Sequence, residues 1–412
     1  MKCGRIGGCD GIFPGCHWPH ERDAGGVIDL DANATSALLP EVVDAMLPWL
    51  RDGHANPSGA YREAKRARAA IDRAREQVAA LIGADADEIV FTGGGTESVN
   101  TALHSLDRLA GGGNAVVSAI EHSAVLRCAE AMERGLSLAP VNVGGSLEID
   151  AFVEQLKVAA FVSVMMANNE TGVIQPVSEI FQLAKAHGLP THSDAIQATG
   201  KIDIDVKALD VDMLSISAHK FHGPKGVGVL YVRRGLAFEP LLRGGGQESG
   251  RRSGTENTAG IVGMGVAAEL AAKYLREDGA TSISAMRDAF EAKVLGGLAD
   301  VTRNGDTTRR LPNTCHLSFA GCEAAGLLIL LDDKNVACSA GSACMTGSQR
   351  PSHVQLAMGI PEAQAKSSLR FSFSRFNTMD DAHVAADAVI SAVGRLRRIQ
   401  GDGVGPVVVY SP

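Results

Sequence analysis

The stretch "VDMLSISAHKFHGPKGVGVLYV", Val211–Val232, holds two β-rich runs, "VDMLSISA" and "GVGVLYV", around a polar turn with two histidines and two lysines. His219 and Lys220 stand immediately after the first run. In a chain that alternates strands with helices, that is the carboxyl end of a parallel strand, where open sheets bind ligands. A lysine there is a candidate for covalent attachment of a carbonyl compound. Taken singly it is also an ordinary surface lysine.

Working outward, helical stretches such as "PEVVDAMLPWL" and "REAKRARAAIDRAREQVAALIG" alternate with the short runs "EIVFT", "NAVVSA", "AFVSVMMA" and "LPTHSD". This alternation predicts an α/β architecture with a largely parallel sheet flanked by helices. Near residue 278 the character changes. A helical stretch, "ISAMRDAFEAKVLGGL", leads into "TCHLSFA", "EAAGLLILLD", a Gly/Ser stretch, "SLRFSFSRF" and a last helix, as in a smaller α+β domain.

With 412 residues and 45% apolar composition, the chain is long enough for two or three domains. The net charge of -8 and the separation of its short basic patches exclude a nucleic-acid footprint. No apolar run is long enough to span a bilayer, and the first residues lack the apolar centre of a signal peptide, so a cytoplasmic protein is expected. Eight irregularly spaced cysteines then read as reduced thiols.

Three further stretches carry chemistry. In "EIVFTGGGTESVNTALHSL", glycines ending at Gly95 precede Thr96 and a helix start, whose free N–H groups suit a phosphate or simply a capped turn. "LPTHSDAIQATGK" sets Asp194 at another strand end, where a helix cap is the plain alternative. "AIEHSAVLRC" sets His122 at a third. A lysine, a carboxylate and a phosphate cradle at neighbouring strand ends are the parts a pyridoxal phosphate enzyme needs. A zinc site from His192, His219 and His222 is the alternative, but no cysteine or carboxylate pattern completes it.

The stretch "VACSAGSACMTGSQRPSH", Val336–His353, reads as a loose tether with neither helix nor strand, carrying Cys338 and Cys344. Residues 1–26 are Gly-rich, and Cys3, Cys9, Cys16 and His17 match no standard metal-ligand spacing.

Across about Val27 to Arg398 the sequence resembles the cysteine desulfurases of the class V aminotransferase superfamily, most of all their nitrogen-fixation and iron–sulfur-cluster type. The resemblance rests on "LDANAT", "NPS", "FTGGGTES", "EHSAV", "NNETGVIQP", "HSDAIQATGK", "SAHKFHGPKGVGVLYVRRG", "LLRGGGQESGRRSGTEN", "GSACMTGSQRPSHV" and "SLRFSFSRFNT", in that order. It implies the fold type I of pyridoxal phosphate enzymes: a large domain, 41–277, built on a mainly parallel seven-stranded sheet, and a small α+β domain, 27–40 with 278–405, carrying the cysteine loop. Residues 1–26 form an extension.

The resemblance also implies roles. Lys220 would hold pyridoxal 5'-phosphate as a Schiff base, Asp194 would pair with its ring nitrogen, Gln197 would contact the ring hydroxyl and His122 would stack on the ring. Gly95, Thr96, Ser217 and His219 would cradle the phosphate, with Thr255 reaching across from a second subunit of a homodimer. Asn169 and Arg370 would grip the carboxylate of L-cysteine. Cys344 would take the sulfur as a persulfide and pass it to an acceptor protein such as a cluster scaffold. Selenocysteine lyase, aminotransfer and a non-catalytic sulfur relay are the rival activities. Departures from the family pattern are Ala32, Ser36, Ser193, a missing histidine after "NPS", and the extra thiol of Cys338.

Overall fold

The computed structural model describes residues 26–340 and 351–401. The chain enters on a short strand, β1 (Ile28–Asp29). Seven strands then form the main sheet: β2 (Ile89–Thr92), β3 (Asn114–Ser118), β4 (Leu136–Ala139), β5 (Ala159–Ser163), β6 (Thr191–Asp194), β7 (Met213–Ser217) and β8 (Gly228–Val232). Their order is β2-β8-β7-β6-β5-β3-β4. Strands β7, β6, β5, β3 and β4 pair in parallel, whereas β8 runs antiparallel to both β2 and β7.

Every residue of β2, β6, β7 and β8 is buried, which is why these runs read as continuous rather than alternating. Helices cover the two faces through separate apolar clusters. Phe152, Phe181 and Met264 belong to one, and Val99, Leu103 and Phe161 to the other. Burying each such side chain contributes roughly 1.5–3 kcal/mol. The sequence reading missed β4, since "LSLA" is too short and too exposed to show a pattern.

The remaining strands are β9 (Val301–Arg303), β10 (Thr314–Phe319), β11 (Val336–Ala337), β12 (Ser339–Ala340) and β13 (Ser368–Ser372). They make a four-stranded antiparallel sheet, β12-β13-β10-β9, and a parallel β1-β11 pair. A third apolar cluster lies here, with Phe290 packed 4.8 Å from Phe371 and 5.7 Å from Phe373, ring centre to ring centre. The stretch expected to be wholly irregular from Val336 onward therefore begins as two short strands. Val336 is buried in this cluster, and that burial overrides the low β-propensity of its Ser and Ala neighbours.

Among the described residues no helix is long and apolar enough to cross a membrane.

Candidate active site

The parallel strands all present their carboxyl ends on one side. Asp194 closes β6, and Ser217 closes β7 just before the short turn Ala218–Lys220. His122 follows β3 by four residues and caps the helix Ser123–Glu130. The turn after β2 leads into the helix Gly95–Leu109. These ends line one cavity of about 250 Å³, walled by Gly95, Thr96, His122, Asn169, Asp194, Gln197, Ser217, His219 and Lys220, with Ala124, Met165 and Ile196.

Glycine is required at the turn. Gly94 has φ 148°, a conformation other residues rarely adopt. A Cβ on Gly95 would lie 2.4 Å from Ile196 Cδ1 and 3.2 Å from the Cβ of Ser217. Gly95 and Thr96, the first residues of this helix, line the cavity, and a helix start offers its N–H groups to an anion.

Burial, aided by Arg370, lowers the Lys220 amine to about 8, against the opposing pull of Asp194 and Asp31. Its Nζ donates to the carbonyl oxygens of Asn33 at 2.7 Å and Ala34 at 2.8 Å. Asp194 accepts the Ile196 N–H at Oδ1, and among the described residues Oδ2 has no hydrogen-bond partner. Burial raises this carboxyl to about 6, and the Ile196 N–H and Lys220 pull the other way. His122 Nδ1 accepts the Ala124 N–H at 3.1 Å, so the proton of its neutral ring sits on Nε2. Burial and the nearby Lys220 lower its affinity for a second proton. His219, lowered to about 4 chiefly by burial, faces the Thr35 hydroxyl through Nδ1.

These residues suit pyridoxal phosphate. An easily deprotonated lysine, a buried carboxylate with a free oxygen and a glycine-lined helix start match its aldehyde, its ring nitrogen and its phosphate. His192 is not available to a metal: Ser163 and Ser215 occupy its two ring nitrogens at 2.8 and 2.9 Å.

Arg370 does not line the cavity, but it reaches the same place through Asn169. Its Nη1 donates to the Asn169 carbonyl oxygen at 2.9 Å and its Nη2 to Asp31 Oδ1 at 2.7 Å. Thr255 is exposed on the segment after the turn Gln247–Gly250 and is not among the cavity residues. Cys344 lies outside the described residues, as do Cys3, Cys9, Cys16 and His17. Cys338 is described: it packs against the third apolar cluster, that of Phe290 and Phe371, and burial pushes its thiol up to about 12.

Four site residues were not assigned a task from sequence. Asn33 takes Lys220 and Gln197 on its carbonyl oxygen. Glu121, buried beside Asp194, accepts the Met165 N–H, and burial raises it well above the usual carboxylate range. Glu170 accepts from Ser352, and Lys201 donates to both Asn33 and Gln197. All four lie inside the quoted motifs, but only packing reveals where each points.

A model of the class-V aminotransferase family matches residues 28–384. The chain is 44% identical over 377 residues to the cysteine desulfurase of Gluconacetobacter diazotrophicus, covering 90% of this chain and 94% of that one. It is 42% identical over 386 residues to the cysteine desulfurase NifS of Azotobacter vinelandii, covering 92% and 96%. A solved NifS-like protein superimposes with a TM-score of 0.84 at 31% identity, covering 90% of this chain and all of that one. The match spans every strand end that lines the cavity, and the chain therefore belongs to the class-V aminotransferases, among their pyridoxal phosphate-dependent cysteine desulfurases.

Proposed function

We propose that this protein converts L-cysteine to L-alanine and holds the released sulfur as a persulfide on Cys344. The observation that carries the reading is the meeting of Lys220, Asp194 and His122 in one cavity, with the Asn169–Arg370 pair at the same place. The two main apolar clusters largely follow a division into a large domain, 41–277, and a small domain, 27–40 with 278–405, with Leu39 and Leu311 of the small domain packing into the large-domain cluster.

Bound in the cavity, pyridoxal phosphate supplies an electron sink for the bonds at the substrate α carbon. Lys220 Nζ would hold it and, with the substrate amine bound in its place, would accept the α-proton; its lowered basicity keeps a useful neutral fraction near pH 8. Asp194 Oδ2 would hold the proton of the ring nitrogen. His122 would lie against the ring, with its Nε2 proton available to the reacting groups. Gly95, Thr96, Ser217 and His219 would receive the phosphate, joined by Thr255 of a second copy in a homodimer. Arg370 turns from Asp31 to the substrate carboxylate, with Asn169 beside it.

The sulfur step balances without an external oxidant. As the Cys344 thiolate forms a bond to the substrate sulfur, the Cβ–S bond breaks. Its electron pair passes to Cβ, which takes a proton to become the methyl group of alanine. The persulfide then goes to the thiol of an acceptor protein, for iron–sulfur cluster assembly or another sulfur pathway in the cytoplasm.

Incubation of the purified, cofactor-loaded protein with L-cysteine tests this reading. Alanine should accumulate, and mass spectrometry should find one extra sulfur on the peptide carrying Cys344. Cofactor-loaded protein that yields no alanine would refute it.

A further inference from the structure

Lys201 has no task in the reaction above, yet its side chain turns inward to the cofactor site. Its Nζ donates to Gln197 Oε1 and to Asn33 Oδ1, both at 2.8 Å. It also lines a chamber of about 30 Å³, room for a water molecule, of which Lys220 forms another wall.

An amide has one accepting and one donating end of nearly the same shape, and Lys201 Nζ, whose amine is held well below the usual lysine range by burial, Lys220 and Arg370, is the donor to both partners. With Lys201 on Oε1, the Gln197 amide is held one way round. Its Nε2 donates one hydrogen to the Asn33 carbonyl oxygen at 2.9 Å, which leaves the second for the cavity that Gln197 lines. The same donor orients Asn33. Its Oδ1 takes Lys201 and Asn313, so its Nδ2 must donate, to Thr314 Oγ1 at 2.9 Å and to the Asn169 carbonyl at 3.3 Å. Asn33 in turn offers its carbonyl oxygen to Lys220 at 2.7 Å. One half-buried amine thus orders two amides, and both touch the groups that face the cofactor.

We propose that Lys201 is a positioning residue of the cofactor site, acting through Gln197 and Asn33 to fix the donor aimed at the cofactor ring and the resting place of Lys220. The proposal rests on the reading of this cavity as a pyridoxal phosphate site. A donor on the ring oxygen opposes protonation of the neighbouring Lys220 linkage, so its loss raises the pH midpoint of the visible band of the loaded protein. The other charged or titratable groups around Lys220 are Arg370, Asp194, Asp31, His122 and His219, with His222 and Arg375 on the chamber wall. None of them is altered by the test.

The experiment compares the parent with Lys201→Met, Gln197→Leu and the double variant, each loaded with pyridoxal phosphate. Three readouts are taken: cofactor dissociation constant, pH midpoint of the visible band, and the split between KM and kcat. Lys201→Met should bind cofactor about 10-fold more weakly and raise the midpoint by roughly half a unit to one unit. The double variant should lose clearly less than the sum of the two single losses, because part of the effect of Lys201 runs through Gln197 and the rest through Asn33. If Lys201→Met does not fold, Lys201→Gln, which keeps a donor, replaces it and should hold the cofactor within about 3-fold of the parent. A parental midpoint and dissociation constant in Lys201→Met, strictly additive losses in the double variant, or a Lys201→Gln that loses the cofactor would overturn the proposal. A parent chain that takes up no cofactor would overturn the functional reading instead.

Discussion

The Ser352 hydroxyl donates to Glu170 Oε2 at 2.6 Å, joining the cap of the helix His353–Ala357 to the segment that carries Asn169. Both residues are buried. Burial raises the Glu170 carboxyl from 4.5 to about 7, although Ser352 and Arg370 pull it down. The folded chain therefore keeps this proton longer than the unfolded chain does. The stabilising contribution is full below pH 4.5 and is lost as pH rises through about 7. Glu170→Gln keeps an acceptor for Ser352 but cannot ionise. Its Tm should match the parent near pH 5 and exceed it by roughly 2–4 °C at pH 8. A difference in Tm that does not change with pH would contradict this account.

Lys220→Ala should remove covalent cofactor binding and the reaction with it. Borohydride reduction of the loaded parent, followed by peptide mapping, should find the cofactor on Lys220 and not on Lys225. In the parent, the rate at which added pyridoxal phosphate forms its visible band should rise with pH and level off above about 8, as the amine loses its proton. A flat profile between pH 7 and pH 9 would speak against a lowered Lys220.

Asp194→Asn should leave the cavity intact, since an amide oxygen can still accept the Ile196 N–H. It removes the negative charge that holds a proton on the ring nitrogen. Alanine formation at saturating cofactor should fall by about 100-fold or more, while the phosphate cradle keeps the cofactor bound. Activity within about 3-fold of the parent would remove Asp194 from the mechanism.

The two cysteines of the Gly/Ser stretch should separate. Cys344→Ser should bind the cofactor and change its spectrum on adding L-cysteine, yet release neither alanine nor transferable sulfur, because a hydroxyl ionises too weakly to attack sulfur. Cys338→Ser should retain activity. The Cys338 thiol, pushed up to about 12, should also resist iodoacetamide in the folded protein at pH 8. Rapid labelling of Cys338, or a persulfide mapped there, would reverse the assignment.

The sequence by itself determined the α/β class, the family and the candidate site positions at the strand ends. Those features are local: an apolar run, a glycine turn and a lysine two or three residues past a strand are written within a short window. Only the tertiary structure decided that β8 runs against its neighbours, that Val336–Ala340 forms strands, and that Arg370 rests on Asp31. It alone also revealed the hub at Asn33. Lys201 lies 168 residues from Asn33, and Ser352 lies 182 residues from Glu170. Such pairs meet because two apolar cores close against each other, and buried polar groups must then find partners wherever packing brings them.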